Sequence, residues 1–306
     1  MLKTKLNLSK GKIEVFATNL QTPSHMEWTK DGRLLVSETS AGRVSDITNG
    51  GKITENNVVY DGLNGPSSIV PLEDGRIYVC ETFANRVTNI GKDNDNKKLN
   101  FDNFNRPYSI VVQDGNLEIV ERESSFSNRV VKINMENGES HTKITNIPAL
   151  PLPGLEGLLP TEQFNDDFKE NWFLYSGCSG WKANLLDKEG NIYSLSSSSV
   201  MGTIVYDPDI PTTFLDLVDM FDPIATGLDL MGGMIQNKNN LMLYVTQPRK
   251  GTIMEINPFE NRDYRFTPPI VQGLNFPTCI RFSPDFKEAY VCSSPTGSVW
   301  RFYDFD

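Results

Sequence analysis

Two histidines and four cysteines are the scarce reactive groups of this chain, set among many carboxylates. His25 comes two residues after Pro23, at the start of Ser-His-Met-Glu-Trp. An imidazole there can serve as general base or metal ligand near neutral pH, or be satisfied by neighbouring backbone. His141, in Glu-Ser-His-Thr-Lys-Ile, has an outer-strand context and reads as a solvated surface residue. Glu156, in Pro-Gly-Leu-Glu-Gly, and Asp229, in Gly-Leu-Asp, stand at comparable places two repeat-starts apart. Carboxylates around a narrow channel suit a hard cation, calcium or magnesium, which takes oxygen ligands. They can instead divide into an acid and a base, or simply hold loop backbone. The catalytic candidates are therefore His25, Glu156 and Asp229, and Glu156 and Asp229 are the candidate metal ligands. No organic cofactor is expected.

These groups must be positioned by a unit that the chain writes several times. It reads Pro23-SHMEWTKDGRLLVSETSAGRV, then Pro66-SSIVPLEDGRIYVCETFANRV, then Pro107-YSIVVQDGNLEIVERESSFSNRV, with a fainter copy from Pro277. The first three prolines lie 43 and 41 residues apart. A period near 40 built of short strands is the pattern of a β-propeller, whose blades cannot bury their faces singly. Asp31-Gly32, Asp74-Gly75 and Asp114-Gly115 each separate two strands, a strong hairpin signal. The expected fold class is all-β: a six-bladed β-propeller of four-stranded antiparallel blades, in one domain spanning 1–306. The N-terminal strand at Ile13-EVFATNL is expected to close the last blade. Blade 4 is expected to start at Pro153-GLEGLL and pass through Trp172-FLYSG and Asn191-IYSLS to Gly202-TIVYD. Seven blades is the alternative if 207–228 hides strands. That segment carries Phe214, Leu217, Val218 and Phe221 at helical spacing, so a helical insertion near the channel mouth is expected, either packed for stability or acting as a lid.

The loop into each innermost strand and the loop between the second and third strands open on one face. The side chains expected to meet substrate there are Gln21, Ser67, Tyr108, Glu81, Glu123, Trp181, Arg249 and Thr278. The recurring Glu-Thr…Arg interval, Glu38 to Arg43, Glu81 to Arg86 and Glu123 to Arg129, is better explained by structural ion pairs than by catalysis in three blades. Glu81 and Glu123 remain candidates at the channel mouth.

Composition narrows the partners. The chain has 306 residues and a net charge of −10, with 39 acidic against 29 basic residues. Nucleic acid or an anionic membrane would favour the opposite sign, so neither is expected. The partner expected is a small-molecule substrate, and the chain is expected to be a monomer or weak dimer. No apolar run nears the roughly 18 residues of a membrane helix. The N-terminus lacks the apolar core of a secretory signal, and Cys80, Cys178, Cys279 and Cys292 show no zinc spacing, so a cytoplasmic protein with reduced core thiols is expected. Cys279 and Cys292 fall on adjacent strands of one hairpin.

The pattern DGxLYVxET…xRV resembles the blades of the propeller superfamily that includes gluconolactonase, regucalcin, strictosidine synthase and NHL-repeat proteins. It is also similar to virginiamycin B lyase, with seven blades. The resemblance spans nearly the whole chain and implies a small-molecule enzyme acting in the central channel, most simply a lactone or ester hydrolase, with or without a divalent metal. A metal-free lyase or cyclase, and a propeller that binds a metabolite or protein without turnover, are the alternatives. Gluconolactonase relatives would bind the metal through a Glu before the first-blade proline, inner-strand Asn residues and a later Asp. Gln21 and Tyr108 stand at the Glu position and at one Asn position here, and Glu156 or Asp229 can fill the third.

Overall fold

In the computed structural model, residues 6–93, 95, 100–124, 126–149, 181–207 and 210–304 are described. They form six antiparallel sheets whose innermost strands are Pro23–Trp28, Pro66–Pro71, Ser109–Gln113, Lys182–Leu186, Gly233–Gln236 and Pro277–Phe282. Each innermost strand touches the next, and the sixth touches the first, so the six sheets close into a ring. This is the six-bladed propeller expected, with no seventh sheet among the described residues.

Local chemistry explains each blade. The hairpin of blade 3 turns at Asp114 (φ 48°) and Gly115 (φ 73°), both left-handed, as a two-residue turn matched to strand twist requires. Blade 1 continues through Leu34–Glu38, Arg43–Asp46 and Val58–Tyr60. In blade 2 the strands Ile77–Glu81 and Arg86–Asn89 follow, and Phe101 bridges to Val87 where a fourth strand would lie. Blade 6 is completed by Lys12–Thr18 paired to Ser298–Tyr303. Lys12–Thr18 and the last strand therefore share one sheet, which closes the ring where a free edge would otherwise stand, while Asn7–Leu8 pairs with Val271–Gln272 of blade 5.

Two expectations need correction. The innermost strand of blade 4 is Lys182–Leu186, followed by Ile192–Ser198, Thr203–Tyr206 and Ala225–Thr226. The runs at Pro153 and Trp172, proposed as its start, lie outside the described residues. Trp181 therefore leads into an innermost strand instead of capping a second one. The helix in 207–228 does form, over Phe214–Met220, and Thr213 caps it by accepting the Asp216 N–H at 3.1 Å. Its buried Phe214 and Leu217 face the outer strand of blade 3, Ser140–Pro148, so it lies on the outer flank and not at the channel mouth.

The core sits between blades. The largest apolar cluster joins blades 3, 4 and 5 through residues such as Tyr108, Ile144, Leu195 and Val245. Gly232 and Gly233 of blade 5 lie against the backbone of blade 6; a β-carbon on Gly233 would lie 3.0 Å from the Thr278 carbonyl oxygen.

Candidate functional site at the channel wall and mouth

The recurring glutamate is a stitch at the channel mouth. Glu38, fully buried, accepts the Gln21 N–H at 2.7 Å, Arg43 Nε at 2.8 Å and the Ser45 hydroxyl at 2.5 Å. Glu81 repeats this with the Asn64 N–H at 2.7 Å, Arg86 Nε at 2.6 Å and Thr88. Glu121 repeats it with Asn105 N–H and with Arg129 Nε at 2.7 Å. Burial pushes the Glu81 carboxyl up, yet the bonds from Arg86, Thr88 and Asn64 outweigh it and hold its pKa below the ordinary value. Blade 5 puts Gln247 in the glutamate's place, bonded to Thr252, and blade 6 puts Ser293 there, donating to the Asn275 carbonyl. The structural ion pair expected is thus present. In blade 3, however, its acid is Glu121; Glu123 accepts the Asn146 N–H at 2.7 Å instead.

Each stitched N–H belongs to the residue two before the blade's proline. The residue between them is left-handed: Thr22 (φ 53°), Gly65 (φ 63°) and Arg106 (φ 52°). A non-glycine residue held there costs about 1–3 kcal/mol and persists only where its surroundings fix it. Glu38 and Glu121 supply that fixing, and the strained residue is presented at the mouth.

Deeper in the ring, His25 touches both neighbouring blades. Its Nδ1 lies 3.2 Å from the Ile69 nitrogen, and its Nε2 lies 3.3 Å from Ser68 Oγ and 2.6 Å from Arg281 Nη2. Arg281 in turn donates Nε to Glu27 at 2.5 Å and Nη1 to its neighbouring carbonyl at 2.7 Å. Burial, then the charge of Arg281, hold His25 well below the usual 6.5. A neutral imidazole offers one lone pair, and here two N–H donors face the ring. Protonated, it would face them with no acceptor but Ser68. His25 is therefore an engaged neutral group that seats Arg281, and not a free base. Burial works against the charge of Arg281, but Glu27 more than restores it. The Glu27 side chain is 26% exposed, which makes it the accessible member of the cluster.

The other expected residues sort by contact. Ser67 donates to the Cys80 and Tyr108 carbonyls, and Thr278 donates to the Pro23 carbonyl, so both link blades and neither is open to a ligand. Gln21 is exposed, with its backbone stitched. Tyr108 and Trp181 are buried edge to face with centroids 5.6 Å apart. Arg249, exposed at the mouth, grips both carboxylate oxygens of Asp229. Asp229 is therefore paired with a cationic side chain, and Glu156, its expected partner at a metal, lies outside the described residues. Among the described residues no three His, Cys, Asp or Glu side chains are grouped to hold a metal. His141 is exposed on the outer strand of blade 3, beside a flank cleft of about 570 Å³.

Sequence reasoning missed three features. Ser68, not Ser67, meets His25. Glu27 and Arg281 were passed over, although each follows its blade's proline by four residues. A buried quartet also joins blades 3 and 4: Glu118 binds Lys143 at 2.7 Å and Lys182 at 2.6 Å, and Lys182 also binds Asp207. All four side chains are essentially unexposed. Burial raises Glu118, but Lys182 and Lys143 bring it down to about 2. Cys279 and Cys292 do meet, as reduced, buried thiols hydrogen-bonded to each other.

No family model and no curated protein sequence matches the chain. Solved structures do. A catalytically inactive virginiamycin B lyase from Staphylococcus aureus, with quinupristin, aligns with TM-score 0.54 and 14% identity over 98% of this chain and 99% of that one. A gluconolactonase from Xanthomonas campestris gives 0.60 and 11% over 97% and 90%. The chain shares their propeller fold. A luciferin-regenerating enzyme is similar at 0.59 and 12% over 96% and 95%. At these identities the likeness establishes the architecture, while the groups on it are this chain's own.

Proposed function

We propose that this propeller is a small-molecule enzyme that opens a lactone or ester at the channel wall. The observation that carries this is the meeting of Glu27, Arg281 and His25 from the innermost strands of blades 1 and 6, against Ser68 of blade 2. In this reading Arg281 receives the oxyanion that forms as water attacks the carbonyl. Glu27 takes the proton from that water and returns it to the departing alkoxide, leaving a hydroxy acid from a lactone, or an acid and an alcohol from an ester. His25 holds the guanidinium in place. The occurrence of a lactonase and a lyase among similar structures supports an enzyme on this scaffold. A metal-free elimination or cyclisation would use the same groups, with Glu27 removing a proton from carbon.

The test is turnover of a panel of γ- and δ-lactones and aryl esters. Arg281→Met and Glu27→Gln should each lower kcat/KM by roughly 10²–10³, the loss seen when one oxyanion donor or proton carrier goes. No turnover by the wild type rejects hydrolysis; undiminished turnover in both variants rejects this site.

A further inference from the structure

Arg106 is the mouth residue that the fold does not use up. Its backbone sits in the left-handed region at φ 52°, which glycine occupies without strain and arginine does not. Two contacts impose this: Glu121 takes the preceding N–H, and Asn85 Oδ1 takes the Arg106 N–H at 2.9 Å. The guanidinium carbon then lies over the Phe83 ring, 5.6 Å from its centroid. Phe83 is itself placed with care. It follows the second strand of blade 2, is 40% exposed, and its ring covers Gly65, where a β-carbon would run into it. Arg33, Arg43, Arg76, Arg86, Arg129, Arg249, Arg281 and Arg301 each hold a carboxylate. Among the described residues Arg106 holds none.

A guanidinium stacked on a ring keeps its N–H edge free in its own plane, and the stack holds that edge still. That edge matches a carboxylate, which can take two parallel hydrogen bonds. We infer that Arg106 and Phe83 form a recognition shelf for a planar carboxylate, whose attached apolar or aromatic body lies against Phe83. The shelf rests on the proposal that the channel admits a small molecule, and it deepens that proposal by naming the substrate class: a compound that carries a carboxylate in addition to the group that reacts. A phosphate is less suited. A dianion beside a chain of net charge −10 calls for a cluster of cations, whereas one stacked arginine suits a monoanion.

Calorimetric titration of the whole chain with benzoate, and with benzamide as its uncharged counterpart, tests the shelf. Benzoate should bind saturably and benzamide at least tenfold more weakly. Arg106→Gln and Phe83→Ala should each weaken benzoate at least tenfold and several-fold, respectively. Arg106→Gly separates recognition from structure: it should abolish benzoate binding while raising the melting temperature by roughly 1–3 °C, because the left-handed strain is relieved. Absent benzoate binding, equal binding of benzamide, or a lower melting temperature in Arg106→Gly overturns the shelf. Benzoate binding in the expected order by a chain that turns over no lactone supports the shelf and rejects hydrolysis alone. Lactone turnover without benzoate binding rejects the shelf alone.

Discussion

His25 shows how surroundings decide what a side chain can do. Its position in the sequence suits a general base, but the Ile69 N–H and Arg281 claim its ring. Because its folded pKa is depressed, the fold favours the neutral form. The stability this group contributes is complete above its unfolded value of 6.5 and is lost as pH falls through the lower folded value. Wild type should therefore lose more melting temperature than His25→Gln between about pH 7 and pH 5.5. Equal losses, or an imidazole proton signal titrating near 6.5, would show a solvated ring. The same logic applies to Glu81. Replacing it with alanine strands a guanidinium, a hydroxyl and the Asn64 N–H, and should cost about 2–4 kcal/mol in urea unfolding. The repeat itself disclosed this residue, since an acid needed in three blades is more simply a structural part than a catalyst.

At the scale of elements, blades 3 and 4 are joined by charge as well as by apolar packing. Lys182→Met leaves two carboxylates facing one lysine in a dry interface and should cost about 3–5 kcal/mol. Lys182→Met combined with Asp207→Leu keeps the remaining Lys143–Glu118 pair balanced and should recover most of that loss. A double variant no more stable than the single would argue against a closed network. Glu118 also sets an acid limit. Its stabilisation is present above its ordinary value of 4.5 and fades as pH falls toward about 2. By linkage this is on the order of 3 kcal/mol, visible as a difference in acid unfolding between wild type and Glu118→Gln. None of this was legible in the chain. Glu118, Lys143, Lys182 and Asp207 span 90 positions in three strands and a loop, and only the packing of one sheet on the next joins them.

For the molecule as a whole, stability depends on the seam at which Lys12–Thr18 completes the last blade. A chain begun at Asn19 should expose the edge of Ser298–Tyr303 and elute as oligomers, because an unpaired strand edge recruits other chains. A peptide spanning residues 6–18 added in trans should restore the monomer-sized species. If the shortened chain stays monomeric and equally stable, the seam is not what holds the ring closed.

The sequence by itself determined the architecture: the proline-led period, the Asp-Gly turns and the lone leading strand state blade, hairpin and closure, because these depend on residues close together in the chain. It also pointed to structural ion pairs between the recurring glutamates and arginines, while keeping Glu81 and Glu123 as candidates at the channel mouth and naming Glu123 where the structure uses Glu121. Tertiary structure alone decided which polar groups remain for chemistry. It tied Asp229 to Arg249, engaged His25, moved Trp181 to a new strand and sent the short helix to the flank. It brought Glu27, Arg281 and His25 together across the ring and gave Arg106 no carboxylate among the described residues. The physical reason is that hydrogen-bond capacity is consumed pair by pair across blades about 40 or more residues apart, and no local pattern records which pairs will meet.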